Sequence, residues 1–219
     1  MSPPIRTNPY PVGLLLKDKQ CLVVGGGNVA ARKVSTLLEH GARVTVVSPE
    51  MCPELKAILE AGKITWVPGY YSNRDMEGMK LVVAATNETT VNLEVSRDAR
   101  NKGVWVNVVD DEKLSDFILP AFFCRGNLMV TVSTSGQSPA LARKIKQQLE
   151  QQFGEEYSRL VDIVGSIRHD MKMEGKNPPY SVWHEALDTE ALLDLIKQGE
   201  IQAAREFIKE RLAHGRRFV

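Results

Sequence analysis

The chain is poor in several things that would each have named a function class. It has three cysteines in 219 residues, Cys21, Cys52 and Cys124, widely spaced and odd in number. That excludes a disulfide framework and a paired-cysteine metal site, and it fits reduced thiols in a cytoplasm. Four histidines, His40, His169, His184 and His214, are scattered with no two at metal-ligand spacing, so no protein-held metal is expected. A net charge of +1 is too small to draw the chain to nucleic acid. Apolar runs are short and interrupted, so no membrane span is expected. The opening "MSPPIRTNPYPVGLLLKDKQ" lacks the basic start and long apolar stretch of a secretion signal. Repeats and low-complexity tracts are absent.

What is present is a core and an alternation. The hydrophobic content of 43% is ample for a packed interior. "CLVVGGG", "RVTVVSP", "ITWVPG", "KLVVAAT" and "VWVNVVD" read as strands. "NVAARKVSTLLEHG", "PELKAILEAG" and "TTVNLEVSRDARNKG" read as the helices between them. Strands apolar on both faces, alternating with amphipathic helices, predict a Rossmann-like parallel sheet covered on both sides. "GLLL" at 13–16 is a candidate edge strand. From about residue 114 the pattern changes to two strands joined at Arg125-Gly126-Asn127, then a helix from Pro139 to about Phe153, then charged helices broken near "NPPYSVW". The expected division is a nucleotide-type domain over 1–113, a small α+β segment over 114–150 and a helical part over 151–219.

The turn between first strand and first helix, "VVGGGNVAARK", fits G-x-G-x-x-A through Gly25, Gly27 and Ala30. In that context the first glycine allows the tight turn and the second lets a pyrophosphate approach the backbone. The alanine lets the helix lie close to the sheet, and the helix N-terminus faces the phosphates. Asn28 and Val29 complete the turn. The second strand ends "VVSPE", with Ser48 and Pro49 where an acid for the adenosine ribose is expected and Glu50 slightly later. No arginine stands there for a 2′-phosphate, which favours NAD over NADP. Pro49, Glu50, Thr86 and Asn87 are the expected remainder of the cofactor wall.

Taken in order, "CLVVGGGNVAARKVSTLLEHGARVTVVSP", "VVAATNETTVN", "VNVVDD", "DFILPA" and "VTVSTSGQSPALARK" resemble the precorrin-2 dehydrogenase portion of siroheme synthases. The resemblance extends to the stand-alone dehydrogenases and to the bifunctional dehydrogenase–ferrochelatases. It covers about residues 10–150. The last 70 or so match only as a helical tail, and the methyltransferase domain of longer members has no counterpart in these 219 residues.

The resemblance implies oxidation of precorrin-2 to sirohydrochlorin with NAD⁺, and in some members insertion of Fe²⁺ into the product. It also implies a homodimer with the middle segment at its interface. Asp110 stands at the position of the family's functional acid, where a carboxylate can take a proton as hydride leaves. The competing reading is a turn cap. Asp111 is expected to be solvated, and Asn107 to shape the cofactor pocket or bond a strand end. Ser133, Thr134, Ser135 and Ser138, with Arg143 and Lys144, form an expected cup for the carboxylate arms of the tetrapyrrole. Ser138 before Pro139 also reads as an ordinary helix cap. Thr134 stands where family members often have serine, which weakens transfer of a residue-specific role. A non-enzymatic NAD(H)-sensing module is the alternative from another class; it would use the glycine turn and have no need of Asp110 or the cup.

Overall fold

The computed structural model describes residues 9–214. They divide into two compact units that meet between residues 119 and 120 of the chain, so residues 114–119 belong with the sheet and the remaining middle segment with the helices.

The first unit is a five-stranded sheet. Its strands are β1 (Gln20–Val24), β2 (Arg43–Ser48), β3 (Ile64–Pro68), β4 (Leu81–Ala84) and β5 (Trp105–Val108), in the order β3-β2-β1-β4-β5. Every pairing is parallel. Three helices connect them, α1 (Asn28–Glu39), α2 (Pro53–Glu60) and α3 (Thr89–Lys102), with a single 3₁₀ turn at Asn73–Met76. The two-residue period of a strand splits each apolar run between two cores. Cys21 and Val23 pack under α1 and α2 with Ala30, Ala31, Val34 and Leu55. Leu22 and Val24 pack on the other face with Val95, Ala99 and Met76. The continuous apolar strands of the sequence are therefore strands buried twice over, and the Rossmann-like expectation holds.

The outer edge of β5 is closed by side chains rather than by a sixth strand. Asp116 Oδ2 accepts from Val106 N–H, and Ser115 Oγ accepts from Val108 N–H at 2.8 Å. Asp116 N–H donates to the Val106 carbonyl at 2.8 Å. Occupying these groups removes the template that an open edge offers to another chain.

The expected edge strand at 13–16 does not form. Residues 9–16 have no regular structure, and a tight turn closed by Lys19 N–H to Leu16 O feeds β1. Only Leu16 of this stretch packs on the α1/α2 core.

The second unit begins with an antiparallel hairpin, β6 (Ala121–Arg125) and β7 (Leu128–Val132), turning at Gly126-Asn127. Helix α4 (Pro139–Gln152) packs on both of its strands. Arg125 ties the hairpin to the end of α4, donating to the Phe153 and Glu150 carbonyls at 3.0 and 3.2 Å. Phe123 is buried beside the Phe153 ring. Four further helices follow, α5 (Glu156–Met173), α6 (Tyr180–Ala186), α7 (Thr189–Lys197) and α8 (Ile201–His214). Their shared core includes Ile167, Ala186, Leu192, Ala204 and Ile208, all at 0% exposure. Burying each large aliphatic there contributes about 1.5–3 kcal/mol. Arg205 on α8 donates to Ser166 Oγ and Asp170 Oδ2 on α5 at 2.8 and 2.7 Å, which fixes the register of the two helices.

Candidate functional site

The carboxyl ends of β1, β2, β4 and β5 gather the residues of the first unit that carry chemistry. Gly25 leaves β1 at φ 128, and a Cβ there would overlap the Ala85 carbonyl oxygen. Only glycine lets β1 and the end of β4 come this close. Gly27 is the N-cap of α1, with no side-chain cap and no acidic residue in the first turn. The first helical bond runs from Ala31 N–H to Gly27 O, so the N–H groups of Asn28, Val29 and Ala30 have no acceptor among the described residues. Above Gly27 a Cβ would meet nothing within 4 Å. Open space over unpaired amides at the positive end of a helix dipole is a cradle for a phosphate. Ala30 is fully buried against the sheet, the place the fingerprint assigns to it.

Gly26 is the member of the triplet that sequence spacing passed over. A Cβ on it would overlap the Glu50 carbonyl oxygen and lie 2.8 Å from Ser48 Oγ. Its own carbonyl accepts from Cys52 N–H at 2.8 Å. The middle glycine therefore locks the turn to the β2–α2 connection. Ser48 closes β2 at 3% exposure, and its Oγ has no hydrogen-bond partner among the described residues. The Ser48 carbonyl accepts from Trp66 Nε1 and Gly69 N–H, both at 3.1 Å. Pro49 and Glu50 are exposed beside the turn. Thr86 begins the β4–α3 loop, where its Oγ1 accepts from Glu88 N–H at 3.1 Å and its carbonyl from Asn92 Nδ2 at 3.0 Å; Asn87 is exposed.

The two acids after β5 look alike in sequence and differ in the fold. Asp111 accepts from Lys113 N–H and Leu114 N–H through Oδ1, at 2.9 and 3.2 Å. It is a turn cap, contrary to the expectation that it is simply solvated. Asp110 has φ 61, a left-handed backbone uncommon outside glycine and best tolerated by Asp and Asn. The turn around it is closed by Asp111 N–H to Val108 O at 3.2 Å and Ser115 Oγ to Asp111 O at 2.7 Å. The Asp110 carboxylate is exposed and has no hydrogen-bond partner among the described residues. Capping thus falls to Asp111, and Asp110 is left free. Asn107 bonds the Phe117 carbonyl through Nδ2 at 3.0 Å, the strand-end role rather than a pocket role.

The hydroxyl cup lies in the second unit, on the loop from β7 to α4. Ser133 Oγ accepts from Ser135 N–H at 3.1 Å, and Thr134 Oγ1 accepts from Ser138 N–H at 3.0 Å. Ser138 Oγ caps α4 by accepting from Leu141 N–H at 3.2 Å, with Pro139 opening the helix. Ser135 has φ 51. The loop is held by the hydroxyls of Ser133, Thr134 and Ser138, each accepting a backbone N–H. Arg143 and Lys144 are exposed on α4. Among the described residues no group of three or more His, Cys, Asp or Glu is placed to hold a metal ion.

Residues 12–121 match the family model described as "Putative NAD(P)-binding", and residues 125–152 match the one described as "Sirohaem biosynthesis protein central". The chain is 39% identical over 208 residues to the siroheme synthase of Chromobacterium violaceum, covering 94% of this chain and 44% of that protein. It is 39% identical over 210 residues to that of Thioalkalivibrio sulfidiphilus, covering 94% and 42%. The solved structure titled "SirC, precorrin-2 dehydrogenase" superposes with a TM-score of 0.69 at 30% identity, over 90% of this chain and 98% of that one. The chain belongs to the precorrin-2 dehydrogenase family, the portion shared with siroheme synthases. As a family member it spans less than half the length of the siroheme synthases it matches. It spans nearly all of the SirC chain. No helix of the described residues is long and apolar enough to cross a membrane.

Proposed function

We propose that this chain is an NAD-dependent dehydrogenase that oxidises precorrin-2 to sirohydrochlorin in siroheme biosynthesis. The observation that carries the reading is the pairing of an open amide cradle at α1 with an unbonded carboxylate at Asp110, on one edge of the sheet. Asn28, Val29 and Ala30 N–H groups hold the pyrophosphate, with Gly27 leaving room for it. Pro49 and Glu50 border the adenosine, and Thr86 and Asn87 the far side of the cofactor. Bound NAD⁺ supplies the hydride acceptor. Asp110 accepts the proton that leaves the macrocycle, its carboxylate carried on a turn whose backbone is hydrogen-bonded on the following residue. Ser133, Thr134, Ser135 and Ser138, with Arg143 and Lys144, meet the acidic arms of the tetrapyrrole. A dinucleotide sensor would have no use for a carboxylate freed from capping by its neighbour.

The protein acts as a homodimer in the cytoplasm. The β6–β7 hairpin supports the first statement: both strands are edges, and Cys124 and Met129 are exposed as a cross-strand pair. Unpaired strand edges of this kind are what a second chain can join. Three free thiols support the second. The test is anaerobic addition of enzymatically made precorrin-2 and NAD⁺, following NADH by absorbance. The wild type is expected to form NADH. Asp110→Asn is expected to lose turnover with its NAD⁺ affinity intact. No NADH from the wild type overturns the proposal.

A further inference from the structure

Asn92 is a poor residue for the place it occupies. It lies at the start of α3, and asparagine is a weak helix former because its amide competes for backbone groups. It stands one turn before Val95 and Ser96, both buried, so its side of the helix is turned to the sheet. There its half-buried amide engages one residue of the preceding loop with both ends. Asn92 Oδ1 accepts from Thr86 Oγ1 at 2.9 Å, and Asn92 Nδ2 donates to the Thr86 carbonyl at 3.0 Å. The Asn92 N–H closes the first bond of the helix, to the Glu88 carbonyl at 3.0 Å. Thr86 Oγ1 in turn accepts from Glu88 N–H at 3.1 Å. Thr86 is thus gripped at its hydroxyl and at its carbonyl, while its own N–H has no acceptor among the described residues.

The residue held in this way adjoins the phosphate cradle. A Cβ on Gly25 would overlap the Ala85 carbonyl oxygen and lie 3.4 Å from the Thr86 nitrogen, so the end of β4 rests directly on the glycine turn. Ala85 N–H bonds the Val24 carbonyl at 2.8 Å and carries the ladder that far. Beyond Ala85 the ladder stops, and the bonds from Asn92 hold the chain instead. We propose that Asn92 is a positioning residue for NAD⁺, setting Thr86 against the glycine turn before the cofactor binds. The inference rests on the reading of that turn as a dinucleotide cradle and deepens it. Ordering a loop in advance removes that cost from binding, so Asn92 acts on affinity through Thr86. Starting the helix requires none of this: Glu88 N–H already has Thr86 Oγ1, and alanine suits α3 better than asparagine.

The experiment is an NADH fluorescence titration of the full chain, comparing wild type with Asn92→Ala, Asn92→Asp, Thr86→Val and the double variant Thr86→Val/Asn92→Ala. Aspartate keeps the shape, loses the donor to the Thr86 carbonyl and suits the start of a helix, so it tests that bond in a folded chain. The expected result is NADH binding about two- to tenfold weaker in each single variant, the net effect of one hydrogen bond. The double variant should bind no worse than the weaker single one, because both changes break the same contact. In precorrin-2 turnover the KM for NAD⁺ should rise by a similar factor, with the KM for precorrin-2 unchanged. Wild-type NADH affinity in Asn92→Ala overturns this inference alone, as does a double variant whose loss is the product of the two single losses. A KM for precorrin-2 that rises in step marks a general loosening and overturns it too. A wild type that binds no NADH overturns the dinucleotide reading, and this inference with it. If Asn92→Ala fails to fold, wild-type affinity in Asn92→Asp is the result that overturns the inference.

Discussion

Replacing Gly26 and Gly27 by alanine, one at a time, should separate the fold from the ligand. The two residues are adjacent and chemically identical, yet a methyl group meets opposite surroundings at them. At Gly27 a Cβ finds nothing within 4 Å, and the backbone, at φ −86 and ψ −177, suits alanine. The cost to stability is then that of a poorer N-cap, about 0.5–1 kcal/mol. For a chain of this size that lowers Tm by about 1–4 °C. The same methyl group projects into the space over the unpaired amides of Asn28, Val29 and Ala30. Each charged hydrogen bond prevented costs about 1.5–3 kcal/mol. Blocking two weakens NAD⁺ binding by about a hundredfold to ten-thousandfold. At Gly26 the methyl overlaps the Glu50 carbonyl, which is backbone and cannot rotate away. The β2–α2 connection must shift, at about 1–3 kcal/mol or more. Tm then falls clearly further than in Gly27→Ala. Thermal melts followed by circular dichroism, with NADH fluorescence titration of each variant, measure both effects. A Gly27→Ala protein that binds NADH like the wild type refutes the cradle. A Gly27→Ala protein as destabilised as Gly26→Ala refutes the geometry of the turn.

Asp110→Gly should raise stability by up to about 1 kcal/mol while abolishing turnover, because glycine occupies the left-handed region without strain. Denaturant unfolding checks the first half, and a lower unfolding midpoint would show that the turn does not strain Asp110. Burial pushes the Cys21 thiol from 9.0 up to about 11. The folded protein therefore keeps its proton where the unfolded chain has lost it. The contribution is complete below pH 9 and disappears as pH rises to about 11, roughly 2–3 kcal/mol in all. Unfolding free energies of wild type and Cys21→Ala across that range should converge as pH rises; a constant difference refutes the assignment. At neutral pH a thiol reagent should label exposed Cys124 quickly and buried Cys21 only on unfolding.

Much of the first unit was legible because its signals are local. Leu22, Val23 and Val24 are apolar in succession, and a strand can bury all three only between two layers. Gly25, Gly27 and Ala30 have their spacing fixed by a strand meeting a helix. Ser138-Pro139 carries its cap within four residues. The division of labour between Asp110 and Asp111 was not legible, since two adjacent carboxylates differ only in what the fold brings to them. Ser115 and the backbone of Lys113 and Leu114 engage Asp111 and leave Asp110 free. The hydroxyl run was readable as a polar loop, but not that Ser133 and Thr134 each accept a bond from a nearby backbone N–H.

Strand period, helix period and the glycine turn belong to contiguous residues, and the sequence by itself determined them: a parallel sheet, its helical cover and a place for a phosphate. Tertiary structure alone decided what lies opposite each residue across the chain. Glu50 is remote from Gly26 in sequence, as is Trp66 from Ser48, and no local periodicity encodes such meetings. Gly26 is indispensable because a carbonyl from another connection lies against it. Trp66 is anchored because the Ser48 carbonyl at the end of β2 lies within reach of its Nε1. Both facts arise from packing, which acts between segments that the sequence leaves far apart.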